Sequence, residues 1–503
     1  MKGAMSSPDQ VMARSLLNAL YPDTTYHYNS GGEPADIPVL THDQLCGFHQ
    51  RHYHPSNAFF YTYGNLPLEA HLAFINDKIL SLFTAIDPKT EVPSQKRWKA
   101  PREVTYTYPL DPGEDPTKKS QVCVAWLVSD IKQTFDVLVL KLLEQILLGN
   151  AASPLRKALI DSELGSSLAD VTGFDADNRD TLFACGLKDV EPGDAEKIES
   201  IVFDTLSRLV AEGIDRELID AAIHQIEFHR KEITNTPYPF GIKLLLTLSG
   251  SWFHGGRPEK VLQFDADIGK IREEAAQGGF FESIIRERLL ENRHRVLFTL
   301  EPDQKKAARE MERARKELDD IQQRLTPAEL ESIAQDAAAL EEMQEHSEDI
   351  GCLPTLAIED IPPSIQTVAP STDHASAPAT CYSQPTSGIY YFTAAMGVGL
   401  LTEPLLPLAP FMCYALPKIS TRRRDFTDLV RLIDAHTGGI NLSSTARTRF
   451  DSTGACMPYL AVNGKCLSRN IENMFGIIGE VLFEADFSDK TRLKSLLLEY
   501  KAG

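Results

Sequence analysis

Between Pro302 and Ile350 the chain carries 14 acidic residues against seven basic ones, and its few apolar residues keep helical intervals. Met311, Leu318, Ile321 and Leu325 are spaced by seven, three and four, and Leu330, Ile333, Ala337 and Leu340 by three, four and three. The two stripes are parted by Thr326-Pro327-Ala328-Glu329. There the threonine is a cap, the proline the first helical residue and the glutamate the reciprocal partner of a capping box. Residues 302–350 are therefore expected to form a solvated helical hairpin that bridges folded parts. With 503 residues and about 150 per domain, roughly three domains are expected around it.

Before the hairpin, Phe59–Tyr63 is an aromatic run with strand propensity, and Leu66–Leu82 reads as a helix. Residues 85–103, with Pro88, Pro93 and Pro101, read as a polar linker. The apolar run Val122–Val128 suits a strand buried on both faces. Helices are expected at Phe135–Leu148, from Ser153-Pro154, between Asp194 and Gly213, and from Asp215, with a closing strand at Val296–Leu300. After the hairpin, residues 351–368 read as an extended connection. Strands follow near Ile389–Ala395 and Met457–Val462, with helices near Phe426–Ala435, Ile471–Phe483 and Lys490–Lys501. The fold class is α+β. The expected division is 1–84, the linker 85–103, 104–301, the hairpin, the connection, and 369–503. The abrupt first and last residues are taken as the limits of an excerpt from a longer chain.

A net charge of −20 repels phosphate backbones, so nucleic acid is not expected as a partner, whereas basic peptides would be attracted. The apolar stretch Tyr390–Leu416 contains Pro404, Pro407 and Pro410, which break a spanning helix. It reads as a strand, a loop and a buried helix, so no membrane partner is expected. The start of the chain has no apolar signal segment. Eight scattered cysteines, none closer than ten residues to the next, form no C-x-x-C pair and are read as free thiols of a reducing compartment. A soluble protein of a bacterial cytoplasm or an organelle matrix is the expectation.

Histidines are the natural place to look for chemistry. His49, His52 and His54 cluster, but His54 precedes a proline and is pushed out of helical geometry, so packing or capping is expected of them. His224-Gln225-Ile226-Glu227-Phe228-His229 imitates the H-x-x-E-H of zinc peptidases but is one residue too long. At i and i+5 its histidines point about 140° apart around a helix and cannot share an ion. A surface helix is expected there. Arg422-Arg423-Arg424 reads as a basic surface patch at a helix start. H-E-x-x-H, G-x-S-x-G and the phosphate-binding glycine motifs do not occur.

Several segments, in order, resemble the presequence protease branch of the pitrilysin/insulinase zinc metallopeptidases. They include Met1-Lys2-Gly3, Ser30-Gly31-Gly32-Glu33-Pro34, Tyr53-His54-Pro55-Ser56-Asn57, Tyr63-Gly64-Asn65, Ser153-Pro154-Leu155, Cys352-Leu353-Pro354-Thr355-Leu356 and Thr437-Gly438-Gly439. The resemblance implies repeated pitrilysin-type domains joined by the hairpin, and a metalloendopeptidase that degrades short unstructured peptides, basic presequences among them, inside a closing chamber. In that family zinc is held by H-x-x-E-H and a distal glutamate, neither of which has a counterpart in this chain. No catalytic residue and no metal ligand is therefore assigned to it. Ser30, Gly31, Gly32, His54, Pro55 and Asn57 are carried over as structural motif residues only. Zinc is expected in the intact enzyme and not on this segment, which alone should be inactive and would need the remaining N- and C-terminal parts. The alternative is a non-catalytic partner or peptide-binding subunit of the same family.

Overall fold

The computed structural model describes residues 3, 6–346, 350–365, 367–374, 379–399, 401–449 and 451–502; Met1 and Lys2 of the first motif lie outside them. Three helices lead the chain: α1 (Pro8–Leu20), α2 (His42–His52) and α3 (Leu68–Lys78). The third is shorter than its apolar run, which ends in a 3-10 turn at Leu80–Leu82. The aromatic run at 59–63 was expected as a strand but joins no sheet among the described residues. It lacks a neighbouring strand there, and propensity alone does not make a ladder.

Strands β1 (Arg102–Pro109), β2 (Ser120–Asp130), β3 (Ser167–Leu168), β4 (Gly173–Asp175), β5 (Asp180–Val190) and β6 (Arg295–Asp303) form one sheet. Its order is β1-β6-β2-β5-β3, with β4 also on β5, and only the β1–β6 pair is parallel. Strand β2 is central, which explains its unbroken apolar sequence. Val122, Val124, Trp126 and Val128 face one core. Cys123, Ala125 and Leu127 face another. The first core is closed by helices α4 (Thr134–Leu148), α5 (Pro154–Asp161), α6 (Ala195–Glu212) and α7 (Arg216–Lys231). Helices α8 (Phe240–Phe253) and α9 (Pro258–Val261) intervene before α10 (Phe264–Ala276) and α11 (Phe280–Ile285), which complete it. The second face is covered by α1, whose Met12, Leu16 and Leu20 recur every four residues.

Residues 85–101 of the expected linker have no regular structure, while Arg102 and Glu103 already belong to β1; the linker is nevertheless not loose. The Gln95 backbone N–H donates to Asp180 Oδ2 at 2.6 Å, its side-chain amide donates to Asp23 at 2.7 Å, and Arg97 pairs with Asp180 at 2.9 Å. Further along, Trp98 stacks on the His294 ring at 3.8 Å, and the Arg102 guanidinium lies 4.0 Å from the indole centroid. His294 is buried; its Nε2 donates to the Leu20 carbonyl at 3.0 Å, and its Nδ1 accepts from the Trp98 N–H at 3.3 Å. That pairing requires the neutral ring.

The compact unit Lys305–Pro385 holds the expected hairpin, α12 (Lys306–Gln322) and α13 (Pro327–Glu345). The capping box is present: Glu329 N–H donates to Thr326 Oγ1 at 3.3 Å, and Thr326 N–H donates to Glu329 Oε2 at 2.7 Å. Neither helix has a buried residue. The connection after it is not uniformly extended, because 3-10 turns form at Ile350–Cys352 and Ile358–Asp360. Two short strands, β7 (Thr372–His374) and β8 (Ala379–Cys381), pair with each other.

The other unit, Met1–Gln304 with Thr386–Gly503, holds the sheet above and a second, three-stranded one. In the latter, β9 (Ile389–Gly397), β10 (Ile440–Arg449) and β11 (Ser452–Leu467) run antiparallel in the order β10-β11-β9. Helices α14 (Ala409–Ala415), α15 (Phe426–His436) and α16 (Ile471–Phe483) supply its core through Cys413, Leu429, Ile433, Met474 and Ile478. Helix α17 (Lys490–Ala502) follows. The stretch 390–416 is strand, 3-10 segment and short helix, and among the described residues no helix is long and apolar enough to cross a membrane. All eight cysteines are free.

Burial, opposed by the Leu20 carbonyl, pushes the His294 pKa down to about 4. The unfolded chain binds this proton at about pH 6.5, so the folded chain holds fewer protons between those values. Stability is whole above pH 6.5 and declines as pH falls towards 4, by up to ~3 kcal/mol. Urea unfolding at pH 7, 6 and 5 should show this decline, and His294→Leu should lower stability while flattening it.

Candidate functional site

Helix α7 carries an apolar stripe, Leu218, Ile219, Ala222 and Ile223, that packs into the core of the larger sheet. The next face round holds the histidine–glutamate pattern. This face was expected to meet solvent, but His224, Gln225, Glu227 and Phe228 are all buried. The reason is long-range: α15 and the end of β11 lie against it, so α7 is enclosed on both sides.

The contacts along this seam are mostly polar. His224 Nδ1 donates to the Asp434 carbonyl at 2.9 Å, and Asn470 Nδ2 reaches His224 Nε2 at 3.3 Å. The ring is thus held as the neutral Nδ1–H tautomer, and burial lowers its pKa further than the Asp434 carbonyl raises it. Gln225 Nε2 donates to the Asp434 and Thr437 carbonyls, the latter at 2.9 Å. Asn150 Nδ2 donates to Asp434 Oδ2 at 2.7 Å. One turn on, Lys465 Nζ donates to both Glu232 carboxylate oxygens at 2.8 and 2.9 Å.

Glu227 lies at the centre of the charged part. Its carboxylate accepts a bidentate pair from Arg469 at 3.1 and 2.8 Å, one bond from Lys231 at 2.8 Å and one from Arg272 at 2.8 Å. Burial by itself would raise the carboxyl pKa. The bonds from Arg469, Lys231 and Arg272 overcome it and hold the group well below the usual carboxylate range. A carboxylate so saturated takes up no proton near neutrality and cannot serve as a general base.

Phe228 completes the seam from the apolar side, packing with Ile389 and Leu467. Its ring lies so close to Gly438 that a β-carbon there would come within 2.1 Å of Cζ. Gly439 follows with φ +121°. The Thr437-Gly438-Gly439 motif is thus a socket for an aromatic ring and a turn, and the Thr437 carbonyl is one of the acceptors above.

These residues do not fit a zinc ion. Both nitrogens of His224 and all the near valences of Glu227 have protein partners, and His229 Nδ1 donates back to the Gln225 carbonyl at 2.7 Å. Among the described residues no three histidine, cysteine or acidic side chains converge as a metal-binding group. The earlier histidines are engaged separately. His49 stacks on Tyr53, His52 packs at a tilt against Phe48, and His54 Nδ1 accepts the Ser56 N–H at 3.1 Å, capping the turn at Pro55–Asn57. Asn57 donates to the His52 carbonyl at 2.9 Å and accepts from Thr90 at 2.8 Å. Ser30, Gly31 and Gly32 form a separate turn, closed by Gly32 N–H to the Asn29 carbonyl at 2.9 Å, with Gly32 at φ +76°.

The arginine triplet is not a free patch. Arg423 chelates Glu484, and Arg424 bonds Glu480 at 2.8 Å beside Thr421 Oγ1 at 2.6 Å. Two of the three tie the entry of α15 to α16. Sequence reasoning missed Arg272, Asp434 and Arg469 altogether. No local pattern marks them, since Glu227 meets Arg272 and Arg469 at separations of 45 and 242 residues.

Glu227→Gln leaves three cations, each a third to a half exposed, around an uncharged amide. It should destabilise the chain by about 1–3 kcal/mol, measured by chemical denaturation. Coupling with Arg469→Gln should appear as strong non-additivity in the double-mutant cycle.

Comparison with known proteins places this architecture. The profile described as "Peptidase M16 inactive domain" matches residues 40–226, and the profile of the region associated with subfamily C of the same M16 peptidases matches residues 300–503. The mitochondrial presequence protease of Xenopus laevis is 33% identical over 99% of this chain and 48% of its own length. Protein HypA of Clostridium perfringens is 30% identical over 100% of this chain and 52% of its own. The chain spans about half the length of the curated relatives it matches. The solved structure of pitrilysin aligns with 98% of this chain and 50% of its own, at 14% identity and a TM-score of 0.47. By its profiles and its relatives, this chain belongs to the pitrilysin (M16) family of peptidases, in the branch of the presequence proteases.

Proposed function

We propose that the chain is a structural portion of a zinc metalloendopeptidase that degrades short, unstructured peptides in a closing chamber. The observation that carries this reading is the seam on α7. The histidines and carboxylate most like a zinc-peptidase motif are locked into protein–protein contacts, so they build the framework and perform no chemistry. Two M16 profiles and relatives about twice as long support a larger enzyme around that framework. Zinc, and the carboxylate that moves the proton in peptide hydrolysis, are assigned to residues outside these 503.

The substrate class follows from the relatives named presequence protease and from charge. A net −20 draws cationic peptides by long-range attraction. The turns at Ser30–Gly32 and His54–Asn57 are read as structural, since each is closed by its own hydrogen bonds. The fit of the relatives to mitochondria and to bacteria supports a matrix or cytoplasmic setting.

The purified 503-residue chain should hold substoichiometric zinc by elemental analysis and leave an Arg-rich presequence peptide intact. The longer polypeptide encoded by the same gene should bind zinc and cleave it. One zinc per chain with hydrolysis by the 503 residues alone would overturn the reading. A gene product lacking H-x-x-E-H and inactive towards peptides would point instead to a non-catalytic partner subunit.

A further inference from the structure

Beside the seam, α5, the end of α6, the turn into α7 and one residue of α15 enclose a cavity of about 490 Å³, within the size range of small-molecule sites. Part of its wall is apolar: Ala158 from α5, Leu209 from α6, and Ile214 and Leu218 around the start of α7. Charged residues of both signs share the wall. Lys157 and Asp161, one helical turn apart on α5, pair with each other. Asp215 caps α7, its Oδ1 accepting the Glu217 N–H at 3.0 Å, and its second oxygen has no partner among the described residues.

The two arginines of the wall are less well satisfied. Arg208 is exposed and makes no hydrogen bond or ion pair among the described residues. Arg431 reaches only Asp428, at 3.9 Å, and its Nε is buried without an acceptor among the described residues. A buried guanidinium N–H without an acceptor is uncommon in a folded chain. In a chain of net charge −20, two arginines on the wall of one cavity thus lack a close carboxylate.

A ligand that suits this wall brings three things. It has a carboxylate for the planar N–H forks of the arginines, an apolar body for Leu209, Ile214 and Leu218, and a cationic donor for Asp215. A fatty acid leaves Asp215 unanswered, and an inorganic anion leaves the apolar wall wet. A short peptide with free ends and apolar side chains meets all three demands. We propose that this cavity binds such di- or tripeptides, with the C-terminal carboxylate on Arg208 and Arg431 and the N-terminal ammonium on Asp215. No histidine, cysteine or hydroxyl side chain lines it, so it holds peptides and does not cut them. The choice of peptides among zwitterions rests on the peptidase reading, since short peptides are what such an enzyme releases. Arg431 lies one helical turn before Asp434, which receives Asn150 and His224. A peptide held by both arginines therefore bridges α6 and α15 and tightens the seam.

Isothermal titration calorimetry with leucyl-leucine at pH 7 tests the assignment on the 503-residue chain. The dipeptide should bind one per chain and raise the midpoint of thermal unfolding. Leucyl-leucinamide, which lacks the carboxylate, and N-acetyl-leucyl-leucine, which lacks the ammonium, should each bind at least tenfold more weakly. Arg208→Gln, at an exposed position, should leave the thermal midpoint without ligand unchanged. It should weaken leucyl-leucine at least tenfold and leave the affinity of the amide as it was. Asp215→Asn keeps a helix cap and should weaken leucyl-leucine but not its N-acetyl form. Absence of leucyl-leucine binding by both calorimetry and thermal shift overturns the proposal, as does equal affinity for the dipeptide and its amide. Undiminished binding by Arg208→Gln also overturns it, and so does decanoate binding more tightly than the dipeptide, since the occupant is then a lipid. None of these outcomes reads hydrolysis. The peptidase reading therefore survives a failure here, and a longer polypeptide without peptidase activity would leave dipeptide binding standing.

Discussion

A carboxylate taken out of water needs compensation close at hand, and Glu227 receives it from three stretches of chain. Lys231 is one helical turn away, Arg272 belongs to α10, and Arg469 follows β11. Removing any one cation leaves the others, but removing the carboxylate leaves all of them facing each other. The larger sheet's helices and the smaller sheet's last strand are therefore fixed to a common point. The Asp434 carbonyl repeats the device with neutral groups, taking donors from both His224 and Gln225. Among the described residues the buried apolar cluster of this seam is small, Phe228, Ile389 and Leu467, beside its charged and hydrogen-bonded contacts.

Much of the fold was legible in the sequence because local signals and tertiary demands agree. The run 122–128 announces a strand covered on both faces, and Thr326-Pro327-Ala328-Glu329 announces its helix start down to the reciprocal bonds. Agreement of this kind between levels is what makes a sequence readable. Failure came where the deciding partner is remote. Phe59–Tyr63 has the residues of a strand but no neighbour to pair with. The α7 pattern has the polarity of a surface, yet α15 covers it. The arginine triplet is a surface patch at a helix start, with Arg422 and Arg423 exposed, and what its sequence did not reveal is the pairing with Glu480 and Glu484.

The candidate site illustrates the same asymmetry. Spacing alone excludes a shared ion at His224 and His229, and the structure supplies the positive reason for their presence. Each imidazole has a carbonyl to satisfy, and Glu227 has cations to bind. The polar residues that look catalytic by type are here the means by which one helix is seated between two sheets. Family membership came from ordered short motifs, and several of these turn out to be turns and sockets: Gly32 in its turn, His54 over Ser56, Gly438 under Phe228.

The hairpin of α12 and α13 buries none of its own residues, whereas the seam on α7 joins the two sheets without using the peptide chain between them. Covalent continuity through residues 305–385 is therefore not what holds those sheets in register. A protease would find its first cuts in that exposed tether, and the nicked halves would still migrate together until acid or denaturant loosened the ion cluster.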